Sequence, residues 1–191
     1  MTKSPWDELD ATLAALSKRP WSGAAWRFHG CRYEATSIGG ALRISGRYHR
    51  GLDFYPEAET WPALYLTLAP HIAIAERLRH TSPETFVKIT TQCLSELWVD
   101  LRAVLDCCAD IDPDRLTPAV PGLVLADLCS GDFAPTQAIA SAARRQGAEG
   151  LLVPSCTALR GGNLVLFPDL LQPDSSIRVV VTEVPSLGTT P

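Results

Sequence analysis

The segment from Thr136 to Pro168 constrains the fold most, because it runs one clear helix into two apolar strands through short connections. Thr136 to Gln146 is rich in alanine, the best helix former. Arg144 and Arg145 fall in its last turn, where cations suit the negative end of a helix, and Gly147 lies just beyond as a stop. Gly150-Leu151-Leu152-Val153-Pro154-Ser155 then reads as a buried strand leading into a turn, and Asn163-Leu164-Val165-Leu166-Phe167-Pro168 as a closing strand. With no internal repeat, coiled-coil heptad or low-complexity linker, this pattern predicts a single mixed α+β domain.

The rest of the chain fits that class. Trp6, Leu9, Leu13 and Leu16 recur at three- and four-residue intervals, which predicts an amphipathic helix over residues 5–19 with Pro5 in its first turn. Residues 1–25 are therefore expected to form a helical extension, residues 26–184 the core domain and residues 185–191 a frayed tail. A short strand is expected at Trp26-Arg27-Phe28-His29, and a loop or bent strand at the Gly-rich stretch from Gly39 to Arg47. Ala63 to Thr67 is strand-like, and after Pro70 the run from His71 to Arg79 has helical propensity and pattern. Thr85–Thr91 and Ser95–Leu101 read as strands, Ala103–Cys108 as a further element ending in an acidic, Pro-containing connection, and Ser176–Glu183 as a second closing strand.

Composition excludes several functions. A net charge of −4 over 191 residues leaves no excess of cations to neutralise phosphates, so a general nucleic-acid binder is not expected, although a local set of arginines still suits a small anion. The apolar runs are too short to span a membrane, and Met1-Thr2-Lys3-Ser4-Pro5-Trp6-Asp7 lacks the apolar core of a signal peptide. The six cysteines show no zinc-ligand spacing, so no metal is expected, and with a cytoplasmic location they are expected to be reduced. His29, His49, His71 and His80 are likewise spread without metal spacing. Gly-x-Gly-x-x-Gly, Gly-x-x-x-x-Gly-Lys-Ser/Thr and Gly-x-Ser-x-Gly are all absent, which removes the common nucleotide folds and a nucleophile elbow.

Four residues remain as candidates for chemistry. Arg47, after Gly46, can present its guanidinium fork to a phosphate or carboxylate, and equally suits a solvated loop. Glu76 lies in an Ile-Ala-Ile-Ala setting that favours a partly buried, functional carboxylate, although an ion pair with Arg79 or His80 is the ordinary alternative. Ser155, at the end of an apolar strand, suits either a hydroxyl that positions a ligand or a turn serine bonded to its own backbone. Tyr65 offers a flat face to a heteroaromatic ring, and also suits the core.

In their order along the chain these pieces resemble the RES family, named for its Arg, Glu and Ser. The resemblance rests on Trp26-Arg27-Phe28-His29, on Ser45-Gly46-Arg47-Tyr48-His49 where the family has a Gly-Arg-Trp-Asn-like element, and on Ala63-Leu64-Tyr65-Leu66 followed by Ala73-Ile74-Ala75-Glu76. It continues through Thr136-Gln137-Ala138-Ile139-Ala140, Gly150 to Ser155 and Asn163 to Phe167, covering about residues 26 to 168. Tyr48-His49 in place of Trp-Asn, and a longer, more acidic stretch from Arg50 to Pro62, depart from the family pattern.

The resemblance implies a fold similar to ADP-ribosyltransferases, a split β core with flanking helices. It implies an enzyme that cleaves the nicotinamide–ribose bond of NAD⁺, as a glycohydrolase or phosphorylase, with no cofactor beyond NAD⁺ as substrate. The alternatives are an ADP-ribosyltransferase acting on a macromolecule, and a catalytically weak binding partner of a DNA-binding protein. Arg47, Glu76 and Ser155 would be the catalytic set, with Glu76 stabilising positive charge on the ribose and Arg47 clamping the pyrophosphate. Arg27, Tyr48, Tyr65 and Asn163 would bind substrate, Tyr65 by stacking on nicotinamide. The implied partner is an Xre-like helix-turn-helix antitoxin, with no direct nucleic-acid or membrane contact, and a homo-oligomer is compatible with all of this.

Overall fold

The computed structural model describes residues 9–79, 91–108, 125–159 and 161–185. Among these residues there are six strands: β1 (Lys18–Gly30), β2 (Leu64–Thr67), β3 (Gln92–Asp106), β4 (Gly150–Pro154), β5 (Gly162–Leu166) and β6 (Ser176–Glu183). The helices are α1 (Leu9–Ala15), α2 (Gly39–Arg43), α3 (Pro70–Arg79), α4 (Leu125–Cys129) and α5 (Ala134–Arg145). Among these residues no helix is long and apolar enough to cross a membrane.

The strands form one sheet in the order β1-β2-β5-β4-β3-β6, and β1 also pairs with β3, so the first five close into a barrel-like ring with β6 hanging from β3. Strand β4 runs parallel to β3 and antiparallel to β5. Leu64, Leu66, Leu97, Val99, Leu101, Val104, Leu152, Leu164 and Leu166 come from four of the ring strands and pack into one cluster with Ala25 of the fifth, which is the ring interior. Side chains of opposite parity on the same strands, including Leu151, Val153 and Val165, point the other way and pack with Leu9 and Leu13 of α1 and Ile139, Ala140 and Ala143 of α5. Each fully buried leucine contributes about 1.5–3 kcal/mol, so the two layers fix which face of β2, β4 and β5 turns toward the helices.

The mixed α+β reading, α3, α5, β2, β4, β5 and β6 agree with expectation to within two residues. The N-terminal helix is shorter than expected, because Lys18 already begins a 13-residue strand that pairs with β3 from Lys18↔Leu105 to Gly30↔Gln92. The helical periodicity of residues 5–19 therefore extends past the point where strand pairing takes over, and Pro20, which lacks an N–H, coincides with the register shift between Arg19 and Trp21. The proposed boundary between residues 25 and 26 falls inside β1. Gly39–Arg43 is a helical turn instead of a loop or strand, and Ser95–Leu101 and Ala103–Cys108 merge into the single long β3. The expected strand at 85–91, apart from Thr91, the acidic connection at 109–114 and all but the first residue of the tail from Pro185 lie outside the described residues.

The expectation of reduced cysteines is corrected: Cys31 pairs with Cys93, and Cys129 with Cys156. Neither link is visible as a spacing, since both partners are brought together only by the fold. Strand pairing sets His29 against Cys93 and so delivers Cys31, two residues on, to the same place. Cys107 and Cys108 are free and buried, and burial pushes both thiols up to about 12, so they stay protonated and inert.

Candidate functional site

The helix-facing surfaces of β2, β4 and β5 bring three of the candidate residues together. Thr67 of β2 lies opposite Asn163 of β5, which lies opposite Val153 of β4, and alternate residues along each strand share a face. Tyr65, Thr67, Asn163, Val153 and then Ser155, one residue past the end of β4, therefore look toward the same side. Gly161, with φ of 126° in the β4–β5 connection, carries the carbonyl that accepts from Ser155 N at 2.7 Å, and a Cβ there would meet Ile72 of α3 at 3.0 Å. The connection thus lies directly against the helix that carries Glu76.

Glu76 is the hub of the site. Its Oε1 accepts from Ser155 Oγ at 2.7 Å, Asn163 Nδ2 at 2.9 Å and Cys156 N at 3.2 Å. Among the described residues its other oxygen, Oε2, accepts no hydrogen bond. The carboxylate is thus held in one orientation by its inner oxygen, with no ion pair to Arg79. Asn163 donates to the carboxylate, which fixes its amide orientation, and its Oδ1 is buried with no partner among the described residues. Thr157 completes the turn by donating its N–H to Ser155 Oγ at 3.2 Å.

Arg47 reaches the same region from a hairpin closed by the Gly46↔His49 bridge. Its Nη1 donates to Leu128 O and Ser130 O, both at 2.8 Å, and its Nη2 to Cys129 O at 3.4 Å, so it caps the carbonyl end of α4. Arg79 Nη2 donates to the same Cys129 carbonyl at 3.2 Å. Burial, with Arg79 nearby, lowers the Arg47 guanidinium from its ordinary value, while Glu76 and the two tyrosines oppose the shift. It stays charged, and its Nε–H and one Nη2–H have no acceptor among the described residues. Phe133 stacks under it at 5.6 Å.

The hairpin is built by residues that sequence reasoning missed. Gln137 of α5, buried at 4% exposure, donates Nε2 to Gly46 O and His49 O at 3.0 and 3.1 Å and accepts from Tyr55 at 2.7 Å. His49 donates Nε2–H to Ile44 O at 2.7 Å, which leaves Nδ1 to accept from Tyr65 OH at 2.8 Å. Tyr65 OH in turn accepts from Tyr48 N at 2.9 Å. Gly46 permits the packing, because a Cβ there would lie 2.4 Å from His49 Cε1. Burial lowers His49 from its ordinary value and raises the Tyr65 phenol, so the pair is held neutral. The only signal for Gln137 is an amide set in an alanine-rich helix, and for His49 its departure from the expected Asn.

Two expected substrate contacts are placed differently. The Tyr48 ring is core, 4% exposed, and only its main chain serves the site, accepting from Trp61 Nε1 and donating to Tyr65. A tyrosine ring in the slot of the expected tryptophan thus fills space between α1, α5 and the sheet. Arg27, on β1, gives Nη1 to Ala35 O and Ser37 O at 2.5 and 2.9 Å, and burial lowers it to about 10. Its charge is engaged in closing the loop after β1, and no hydrogen bond joins it to Arg47, Glu76 or Ser155.

A barrel-like α+β domain in which a serine bonds a glutamate, and an arginine is held on the segment that a disulfide joins to the residue after that serine, defines a class of protein. A model of the RES domain matches residues 24–186, and the chain belongs to the RES domain family. Among solved structures, a chain of the M. tuberculosis MbcT–MbcA toxin–antitoxin complex is similar, with a TM-score of 0.68 and 23% identity over 93% of this chain and 91% of that one. At this identity the likeness is one of fold. A search of curated protein sequences gave no match.

Proposed function

We propose that the chain cleaves NAD⁺ at the bond between nicotinamide and ribose, as a glycohydrolase or phosphorylase, and is the toxin of a toxin–antitoxin pair. The observation that carries the reading is the convergence of Ser155 Oγ, Asn163 Nδ2 and Cys156 N on one oxygen of Glu76, which leaves the other oxygen without a donor among the described residues and available to a ligand. As the bond stretches, positive charge builds on the ribose and nicotinamide leaves as a neutral ring. A preoriented carboxylate stabilises that charge without reorganising.

The remaining groups suit the rest of the substrate. The orphaned Asn163 Oδ1 offers an acceptor to the carboxamide N–H of nicotinamide, which would repay its burial. The unused donors of Arg47 suit the pyrophosphate. Tyr65, with its hydroxyl anchored by His49 and Tyr48, holds a partly exposed ring on the same face as Asn163 and would stack on the heteroaromatic ring. We read the barrel-like sheet with its flanking helices as an ADP-ribosyltransferase-like architecture, in which the expected split β core is here one continuous sheet. The solved toxin–antitoxin complex of similar fold supports an antitoxin partner, which we read as an Xre-like helix-turn-helix protein meeting this chain in the cytoplasm, where NAD⁺ is available.

The test is an NAD⁺ depletion assay with the purified chain and identification of products. Free ADP-ribose indicates hydrolysis, a phosphorylated ADP-ribose formed only in phosphate buffer indicates phosphorolysis, and label retained on macromolecules indicates transfer. Glu76→Gln keeps an acceptor for Ser155 and Asn163 but removes the charge, so it is expected to bind NAD⁺ and to lose about two powers of ten in turnover. Unchanged NAD⁺ loss by this variant overturns the assignment.

A further inference from the structure

The Cys129–Cys156 disulfide lies between the two charged groups of the site. On one side, Cys129 and its neighbours Leu128 and Ser130 supply all three carbonyls that hold the Arg47 guanidinium, and Cys129 O also holds Arg79, one turn along α3 from Glu76. On the other side, Cys156 N donates to Glu76 Oε1 and Cys156 follows Ser155 directly. One covalent bond thus ties the anchor of the arginine to the anchor of the glutamate and serine across 27 residues of chain. Among the described residues α4 is only five residues long, with Leu128 as its buried side chain.

We propose that this disulfide is a positioning element of the site, and that its reduction by a dithiol turns the site off. The inference rests on the NAD⁺-cleaving reading. Both cysteines are partly exposed, so a reductant reaches them, whereas Cys107 and Cys108 are buried. In the reaction a thiolate of the dithiol attacks one protein sulfur and breaks the S–S bond, forming a mixed disulfide. The second thiol of the reductant then displaces the protein sulfur. Two electrons and two protons pass to the protein, Cys129 and Cys156 end as thiols, and the dithiol ends as a cyclic disulfide. Disulfides in reducing compartments are characteristically transient or redox-sensing, which suits a bridge at the rim of a site that consumes NAD⁺. Once the bridge opens, the α4 carbonyls that orient Arg47 are free to shift relative to Glu76, and displacements of about 1 Å in such constellations cost up to a hundredfold in rate.

The experiment compares the full chain after treatment with oxidised and reduced dithiothreitol. Turnover of NAD⁺, hydrogen exchange at residues 128–130 and 156, and a non-reduced peptide map are followed together. The oxidised form is expected to show the 129–156 link, slow exchange at these amides and full turnover. Reduction is expected to speed exchange there and to lower kcat about tenfold or more with a smaller change in KM, reversibly on reoxidation. Cys129→Ser/Cys156→Ser is expected to behave as the reduced form in either buffer, and Cys31→Ser/Cys93→Ser to keep the response. Absence of the 129–156 link from the oxidised map, or a Cys129→Ser/Cys156→Ser protein with the exchange and turnover of the oxidised wild type, overturns the proposal. If no form consumes NAD⁺ the functional reading fails, and the exchange arm alone decides whether the disulfide orders the site.

Discussion

Ser155 Oγ donates a 2.7 Å hydrogen bond to Glu76 Oε1, linking the end of β4 to the middle of α3. The serine accepts from Thr157 N while donating to the carboxylate, so it acts as an orienting group and not as a nucleophile poised by a base. Ser155→Ala removes one of three donors and leaves Asn163 and Cys156 N in place. Turnover of NAD⁺ is expected to fall about tenfold, or about 1.4 kcal/mol of transition-state stabilisation, with binding of NAD⁺ little changed. Steady-state kinetics checks this; a loss as large as that of Glu76→Gln would give the serine a direct part in the chemistry.

Gln137 governs the arginine from a distance. Gln137→Leu has a similar volume but removes the side-chain donor from the Gly46 carbonyl, leaves the His49 carbonyl with Gly46 N alone, and takes the acceptor from Tyr55 OH. Unpaired buried polar groups cost about 1–3 kcal/mol each, so thermal unfolding should show a stability loss of about 2 kcal/mol or more. Because the hairpin carries Arg47, turnover is expected to fall in the protein that remains folded. A variant of wild-type stability and full activity would show that the hairpin is held by other contacts.

Much of the fold was legible because local chemistry and tertiary demand coincide there. The alanine-rich α5 with its basic end, the apolar β4 and the Pro70 start of α3 each carry their own signal. The errors sit where long-range pairing overrides a local pattern: helical periodicity up to Arg19 yields to pairing of Lys18 onward with β3, and glycines at 39 and 40 enter a short helix. The site was legible as residue types in order, since Glu76, Ser155 and Asn163 meet through alternation on strands and one helix face. Its support was not. Gln137, the His49–Tyr65 bond and the two disulfides join residues from 16 to 91 apart, and nothing in the local sequence reports such contacts.

Acid is expected to weaken the fold through Glu149, which is fully buried between β3 and the segment after β5. Burial alone would raise its carboxyl, but main-chain donation from Gln172 at 2.8 Å, Arg102 at 2.6 Å and Ala103 at 2.8 Å outweighs this and the group sits below its ordinary value. A carboxyl depressed in the folded state binds its proton more readily in the unfolded chain, so it stabilises the fold above the unfolded value of about 4.3 and loses that contribution as pH falls through the folded one. His49, which burial lowers from its ordinary value, adds loss in the same direction below about 6.5, because protonation of Nδ1 would break its bond from Tyr65. Denaturant unfolding at stepped pH is therefore expected to show stability declining from pH 7 toward pH 4 and more steeply below. Glu149→Gln should lower stability at pH 7 by about 2 kcal/mol and flatten the lower limb of that profile. The limb between pH 7 and pH 5 should be unchanged, since it belongs to His49 and to His29, which burial also lowers; a variant that flattens both limbs equally would assign the acid response to groups other than these three.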